Sequence, residues 1–254
     1  MEDAIELGAL TALAFLAGAV NAVAGGGSLI SFPGLLAAGY DAKPANVTNT
    51  VALWPGYLGG SIGYREELRA QRSRTIVLIA PSVLGALAGS AILLATPGDV
   101  FEGIAPFLIL FACVVLWFQD RLAALTQTHS SAGASGSRLP ATVHIGAFAL
   151  AVYGAYFGAG LGILMLALLG ILIADELQHL NALKGFLSLV TNAVAVIYFA
   201  LFGPVQWAPA LLMAAGALAG GYFGVGAARR LGRELLRLVV VVYGVAAAIL
   251  MLVT

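Results

Sequence analysis

The sequence predicts an all-α integral membrane protein, built as two inverted-topology repeats of about five membrane helices each. Three observations predict it: an apolar composition, charges gathered into a few short breaks, and a self-match of the chain at one fixed shift. Of 254 residues, 61% are hydrophobic and only 9% are charged, and the mean hydropathy is +1.00. Soluble domains average roughly 45–50% apolar and about 25% charged residues, so lipid is the main solvent here. Twelve basic residues balance twelve acidic ones, which leaves no global field to attract a nucleic acid. The single cysteine, Cys113, lies in an apolar run and builds neither a disulfide framework nor a thiolate metal cluster.

A helix needs about 20 apolar residues to cross roughly 30 Å of hydrocarbon. Reading between the charges gives ten stretches, at 7–24, 28–40, 45–64, 75–96, 101–118, 141–157, 159–174, 179–202, 205–228 and 235–253. The 28–40 and 159–174 stretches are short, and each follows a glycine-rich break. They are either tilted short spans or half-helices that enter and turn back. Ala22-Val23-Ala24 mimics a signal-peptidase site, but Glu2, Asp3 and Glu6 make the start acidic where a signal peptide is basic. No cleavage is expected. The Ser/Gly/Ala-rich run from Thr126 to Arg138 has linker composition. It divides the chain into a first repeat (1–118), a flexible cytoplasmic linker loop (119–140) and a second repeat (141–254). His129, His144 and His179 read as solvated or interfacial residues, since no second ligand is spaced for a metal.

Shifting the chain by the 135 residues that separate Gly27 from Gly162 superimposes Gly25 on Gly160 and Asn46 on Asn181. It also places Ala24, Ala80, Gly85 and Gly89 on Ala159, Ala215, Gly220 and Gly224, without a gap. Orientation follows from the basic residues, which favour the cytoplasm. With the N-terminus outside, the inside loops and their edges hold Arg65, Arg69, Arg72, Arg74, Arg121, Arg138, Arg229, Arg230, Arg233 and Arg237. Only Lys43 is left outside, and Lys184 falls within a helix. Five crossings per repeat then invert the second half relative to the first. Inverted repeats with interrupted helices are a transporter architecture, with the ligand near the midplane.

Two motifs carry the candidate chemistry. The first is Gly25-Gly26-Gly27-Ser28, with the counterpart Gly158-Ala159-Gly160-Leu161-Gly162. Glycine inside an apolar segment either lets helices pack closely or breaks the helix. A helix restarting after the break offers free N–H groups and its positive dipole end to an anion, and Ser28 adds a hydroxyl or an N-cap. The second motif opens the third stretch of each half: Asn46, Thr48 and Asn49 in the first, Asn181 and Lys184 in the second. Asn46 and Thr48 read equally well as N-caps. Asn49 aligns with Lys184, so an amide and an ammonium stand at related positions, and both can donate to an oxyanion. A lysine at mid-membrane costs around 2.5–3.5 kcal/mol on insertion scales and marks function; the alternative is snorkelling to the interface. Asn192 lies two turns beyond Lys184, and Asn21 stands just before the first glycine loop; either serves the site or bridges helices. Asp41, Asp175 and Glu176 are the nearby acids, read as solvated loop residues or proton relays. No nucleophile–base pair, cofactor motif or metal-ligand spacing points to an enzyme.

The run Gly18-Ala19-Val20-Asn21-Ala22-Val23-Ala24-Gly25-Gly26-Gly27-Ser28-Leu29-Ile30-Ser31-Phe32-Pro33 resembles the opening signature of the sulfite exporter TauE/SafE family. Thr48-Asn49 resembles that family's Thr-Asn element, and Asn181 through Lys184 to Asn192 is similar to its second-half signature. Family members often carry Lys after Thr-Asn, where this chain has Thr50. The resemblance implies a multi-pass protein of the bacterial inner membrane that exports sulfite, a sulfonate or a related organosulfur anion. The expected partners are that anion and the lipid bilayer, without cofactor; a homo-oligomer stays open. A passive anion channel and, further off, an intramembrane enzyme are the alternatives.

Overall fold

A computed structural model describes residues 2–23, 26–127, 139–173, 175–224 and 233–253. Among these residues every regular element is helical. The first half runs α1 (Glu2–Val23), α2 (Ser28–Ala37), α3 (Ala42–Gly63), α4 (Arg65–Ala70), α5 (Arg72–Ala95) and α6 (Gly98–Trp117), and α7 (Gln119–Gln127) follows. The second runs α8 (Ala141–Tyr156), α9 (Leu161–Leu172), α10 (Leu177–Phe202), α11 (Trp207–Ala219) and α12 (Arg233–Val253). α11 continues into a π-helical turn, Gly220–Gly224. Helices α5, α6 and α10, and Glu234–Val253 of α12, are long and apolar enough to cross a bilayer. The chain is a multi-pass membrane protein.

The two short stretches are short helices. α2 has 10 residues and α9 has 12, about 15 and 18 Å at 1.5 Å per residue, roughly half the hydrocarbon thickness. Left-handed glycines set their limits. Gly26 has φ +83° before α2, and Gly160 has φ +77° as the N-cap of α9. Gly39, at φ +87°, closes α2: its N–H reaches the Leu36 carbonyl and the Tyr40 N–H reaches that of Leu35. That double bond pattern is a Schellman cap.

Four expectations about local structure change. α3 begins at Ala42 with Asp41 as its N-cap, so Asn46 and Thr48 are interior residues and not caps. Gly27 is the N-cap of α2, without a side-chain cap, and Ser28 is the first helical residue. The segment read as a loop over 119–140 starts as helix α7, which packs against α9; residues 128–138 lie outside the described residues. The arginine-rich loop 65–74 contains the helix α4 and the first turn of α5.

Glycine also sets the packing. A Cβ at Gly85 would strike the Phe148 carbonyl and one at Gly89 the Val152 carbonyl. Equal steps of four along both chains make α5 and α8 close parallel neighbours. Gly216 and Gly220 meet the Thr11 and Phe15 carbonyls in the same way, pairing α11 with α1 in parallel. Such backbone approach supplies the van der Waals contact that holds helices together in lipid. α3 packs on α10 and α11, α10 also on α5, and α6 on α12.

One end of the bundle gathers the described arginines. There α4 packs on α10, Arg74 pairs with Asp175, and Arg237 pairs with Asp120 while lying over the Trp117 ring. At the far end, Lys43 Nζ donates to the Leu94 and Thr96 carbonyls at 2.7 Å each, capping the C-terminus of α5. Beside it opens a cavity of about 490 Å³, walled in part by Asp41, Asp99, Glu102, Phe202 and Pro204.

Candidate functional site

The first glycine break is tied down from three sides. Asn21 Oδ1 accepts the Gly27 N–H at 3.4 Å, and a side-chain hydrogen bond joins Asn21 to Tyr57 of α3. A Cβ at Gly27 would run into the Ala17 carbonyl of α1. Ser31, one turn into α2 and fully buried, donates from Oγ to Asn49 Oδ1 at 2.5 Å, with the Gly27 carbonyl at 3.2 Å. Asn49, 2% exposed, is therefore fixed to the first turn of α2. Gly25 lies outside the described residues.

The other polar residues of α3 point elsewhere. Asn46 Nδ2 donates to the Tyr156 carbonyl at 2.9 Å, linking α3 to the end of α8. Its Oδ1 is buried with no partner, at a cost of about 1–3 kcal/mol for a desolvated acceptor. Thr48 Oγ1 accepts the Gln206 N–H at 3.0 Å and so anchors the turn before α11.

The second break is looser around its glycine and carries the charge. Gly158 and Gly160 both adopt positive φ, and Tyr153 Oη donates to the Ala159 carbonyl at 2.5 Å inside the turn. Leu161, Ile163 and Leu164 place their N–H groups on the Gly158 and Gly160 carbonyls; Gly162 does not, so a donor remains in the first turn of α9. The nearest atom to a Cβ built on Gly162 is Lys184 Cε, at 4.0 Å. The half-buried Lys184 side chain thus runs beside that turn, and its Nζ donates to Asn181 Oδ1 at 3.2 Å. Asn181 is held by its own Nδ2 on the Leu177 carbonyl at 3.0 Å. Asn192 Nδ2 donates back to the Ser188 carbonyl at 2.9 Å, while the buried hydroxyls of Ser188 and Thr191 have no partner.

The two breaks meet at α6. A Cβ on Gly26 would lie 3.1 Å from Leu116 Cδ2 and one on Gly160 3.5 Å from Val115 Cγ1, so consecutive residues of one helix touch both. The rings of Phe32 in α2 and Phe157 in the second break stand edge to face, with centroids 5.6 Å apart. Asn49 and Lys184, aligned in sequence, belong to separate hydrogen-bonded clusters, one with Ser31 and one with Asn181. Ser28 is half-buried in the first turn of α2. Among the described residues, no three of His, Cys, Asp and Glu gather closely enough to hold a metal ion.

A family model described as Sulfite exporter TauE/SafE matches residues 10–251 of this chain, nearly its full length and with both breaks inside it. The chain belongs to the sulfite exporter TauE/SafE family. It is 28% identical to the probable membrane transporter protein ORF9 of Sinorhizobium sp, over 94% of this chain and 89% of that protein. It is 27% identical to the probable membrane transporter protein YfcA of Escherichia coli K12, over 95% and 88%. A probable membrane transporter protein of Haemophilus influenzae is 28% identical, over 95% and 93%. No solved structure matches the chain significantly. TauE/SafE membership makes this a protein of membrane transport.

Sequence reasoning passed over Ser31, Tyr57 and Tyr153. Ser31 lies four residues past Gly27, on the same face of α2 and inside the glycine-rich signature, which was the available signal. The partner of Asp175, Arg74, lies 101 residues away and leaves no local signal.

Proposed function

We propose that the protein is a secondary transporter, and an exporter, of a small sulfur-containing anion such as sulfite or a sulfonate. It works by alternating access around the paired glycine breaks. The carrying observation is Lys184: an ammonium on α10, about 10 Å from the start of that helix, beside Gly162 and hydrogen-bonded to Asn181. An oxyanion entering low dielectric needs such a counter-charge, because an unpaired buried charge is very costly. The Gly162 N–H adds a backbone donor at the positive end of α9. Asn21, Gly26, Gly27, Ser28, Asn49, Gly160 and Asn192 complete the proposed site, with Ser31 orienting Asn49; Asn46 and Thr48, turned to the Tyr156 carbonyl and the Gln206 N–H, stand outside it.

Inverted repeats are part of this reading, and the packing supports them. The first helix of each half lies parallel to the fourth span of the other, as α1 with α11 and α8 with α5. The third spans, α3 and α10, pack on each other, and so do the last, α6 and α12. A pseudo-two-fold axis in the membrane plane exchanges these pairs. The arginine-bearing end is cytoplasmic by the charge rule, the membrane is the bacterial inner membrane, and the N-terminus is periplasmic. The test is flux in proteoliposomes loaded with sulfite, sulfate, a sulfonate, a carboxylate or phosphate. Saturable flux of one sulfur oxyanion is expected. Flux that rises linearly with concentration would make the protein a channel.

A further inference from the structure

Alternating access requires one end shut while the other is open, and the two ends of this molecule are built unequally. At the arginine-bearing end, Arg74 in the first turn of α5 forms an ion pair with Asp175, just before α10. Asp175 Oδ1 lies 2.9 Å from His179 Nδ1 and accepts the Glu176 N–H at 2.8 Å. Gln71 Nε2 donates to the His179 carbonyl at 2.7 Å. Both cross-links therefore join the first half of the chain to the second. Side-chain exposure is 26% for Arg74 and 16% for Asp175, so the pair is screened less than one on an open surface.

The 135-residue register exposes the asymmetry. Gln71 corresponds to Gln206, whose N–H reaches Thr48 at the far end. Arg74, however, corresponds to Pro209, and Asp175 to Tyr40, so those positions cannot form an ion pair. The far end holds the 490 Å³ cavity instead. Lys184 follows Asp175 by nine residues, so the cross-links stand at the end of α10 that lies between the Lys184–Gly162 pair and this side of the bundle.

We propose that Arg74, Asp175, His179 and Gln71 form a gate that closes the arginine-bearing end over the Lys184 site. The proposal rests on the transporter reading above. Because the latch joins the two halves, any movement that exposes Lys184 to this end must break it, and the far end, where no ion pair joins the halves among the described residues, opens more readily.

A cysteine under the latch tests this. In a Cys113→Ala background, Ser188→Cys places a thiol at a position that is 2% exposed, on α10 beyond Lys184. Inside-out membrane vesicles are treated with a membrane-impermeant maleimide. The parent should label slowly. Asp175→Asn and Arg74→Gln should each speed labelling about fivefold, the factor a partly screened ion pair supplies. The swap Arg74→Asp with Asp175→Arg should restore slow labelling. Unchanged rates in both single variants, or fast labelling that the swap does not reverse, would overturn the gate. Gln71→Ala, which leaves every charge in place, should also speed labelling and covers the case of a charge variant that does not fold. Anion flux is measured separately on the same proteins: labelling that follows the predicted order without flux of any anion would retain the gate and remove the transport reading.

Discussion

The two glycine breaks occupy matching places in the chain and meet the same turn of α6, yet they are made differently. The first is tight and neutral: Gly27 is pressed against the Ala17 carbonyl, and its polar partners are Asn21, Ser31 and Asn49. The second is roomier at Gly162, and its partner is the cation Lys184. The difference teaches that a duplicated frame need not duplicate a site. Close packing is concentrated in one copy and charge in the other, so damage to each should fail in its own way.

The largest expected effect breaks that comparison directly. Gly27→Val drives a branched side chain into the backbone of α1, and overpacking of that kind costs about 1–3 kcal/mol or more. Thermal unfolding in detergent should drop and transport should be lost. Gly162→Ala, by contrast, has open room and a helical position, so its stability should stay within about 0.5 kcal/mol of the parent. Equal destabilisation by the two would erase the distinction between the breaks.

Next in size is Ser31→Ala. It removes the hydroxyl bound to Asn49 in a buried setting, at a cost of about 1–3 kcal/mol. If Ser31 orients Asn49, the substrate KM should rise several-fold, and Ser31→Thr should recover part of it. A stability loss without any change in KM would make the bond purely structural.

The smallest effect is a pH dependence at the latch. Burial alone would raise the Asp175 pKa. The hydrogen bonds from His179 and the Glu176 N–H, with the charges of His179 and Arg74, outweigh it and hold the carboxyl below its ordinary value. The packed neighbours α4 and α5 add Arg65, Glu66, Glu67, Arg69 and Arg72 nearby. A depressed carboxylate stabilises the closed form above the ordinary carboxylate pKa and loses that contribution as pH falls through the lowered value. Melting temperature should therefore hold from neutrality down to the ordinary carboxylate range and fall below it. Asp175→Asn should flatten the fall.

Much of this was legible in the sequence because the bilayer enforces it. The long apolar runs of α5, α6, α10 and α12 admit one reading in lipid, and charge cannot be placed casually between them. Gly26 and Gly160 announced the breaks because a left-handed backbone inside an apolar run suits glycine alone. The rest depended on contacts between distant segments. Asn46 and Thr48 looked like caps because their residue types favour caps; the helix began earlier, at Ala42, and turned Asn46 towards α8 and Thr48 towards the Gln206 turn. Gly162 looked like a close-approach glycine, but a Cβ there meets nothing nearer than Lys184 Cε, at 4.0 Å. α7 was hidden in a segment whose later residues have linker composition.

The central claim is that the second break supplies the charge for one shared anion site. Calorimetric titration of sulfite into the purified parent and into Lys184→Met tests it most directly. The methionine removes a charge that the bilayer disfavours, so the variant should insert and fold. The account predicts that it binds sulfite about 10–100-fold more weakly, the loss of one charged hydrogen-bonding partner, while Lys184→Arg keeps part of the affinity. A folded Lys184→Met protein that binds as tightly as the parent would contradict the account.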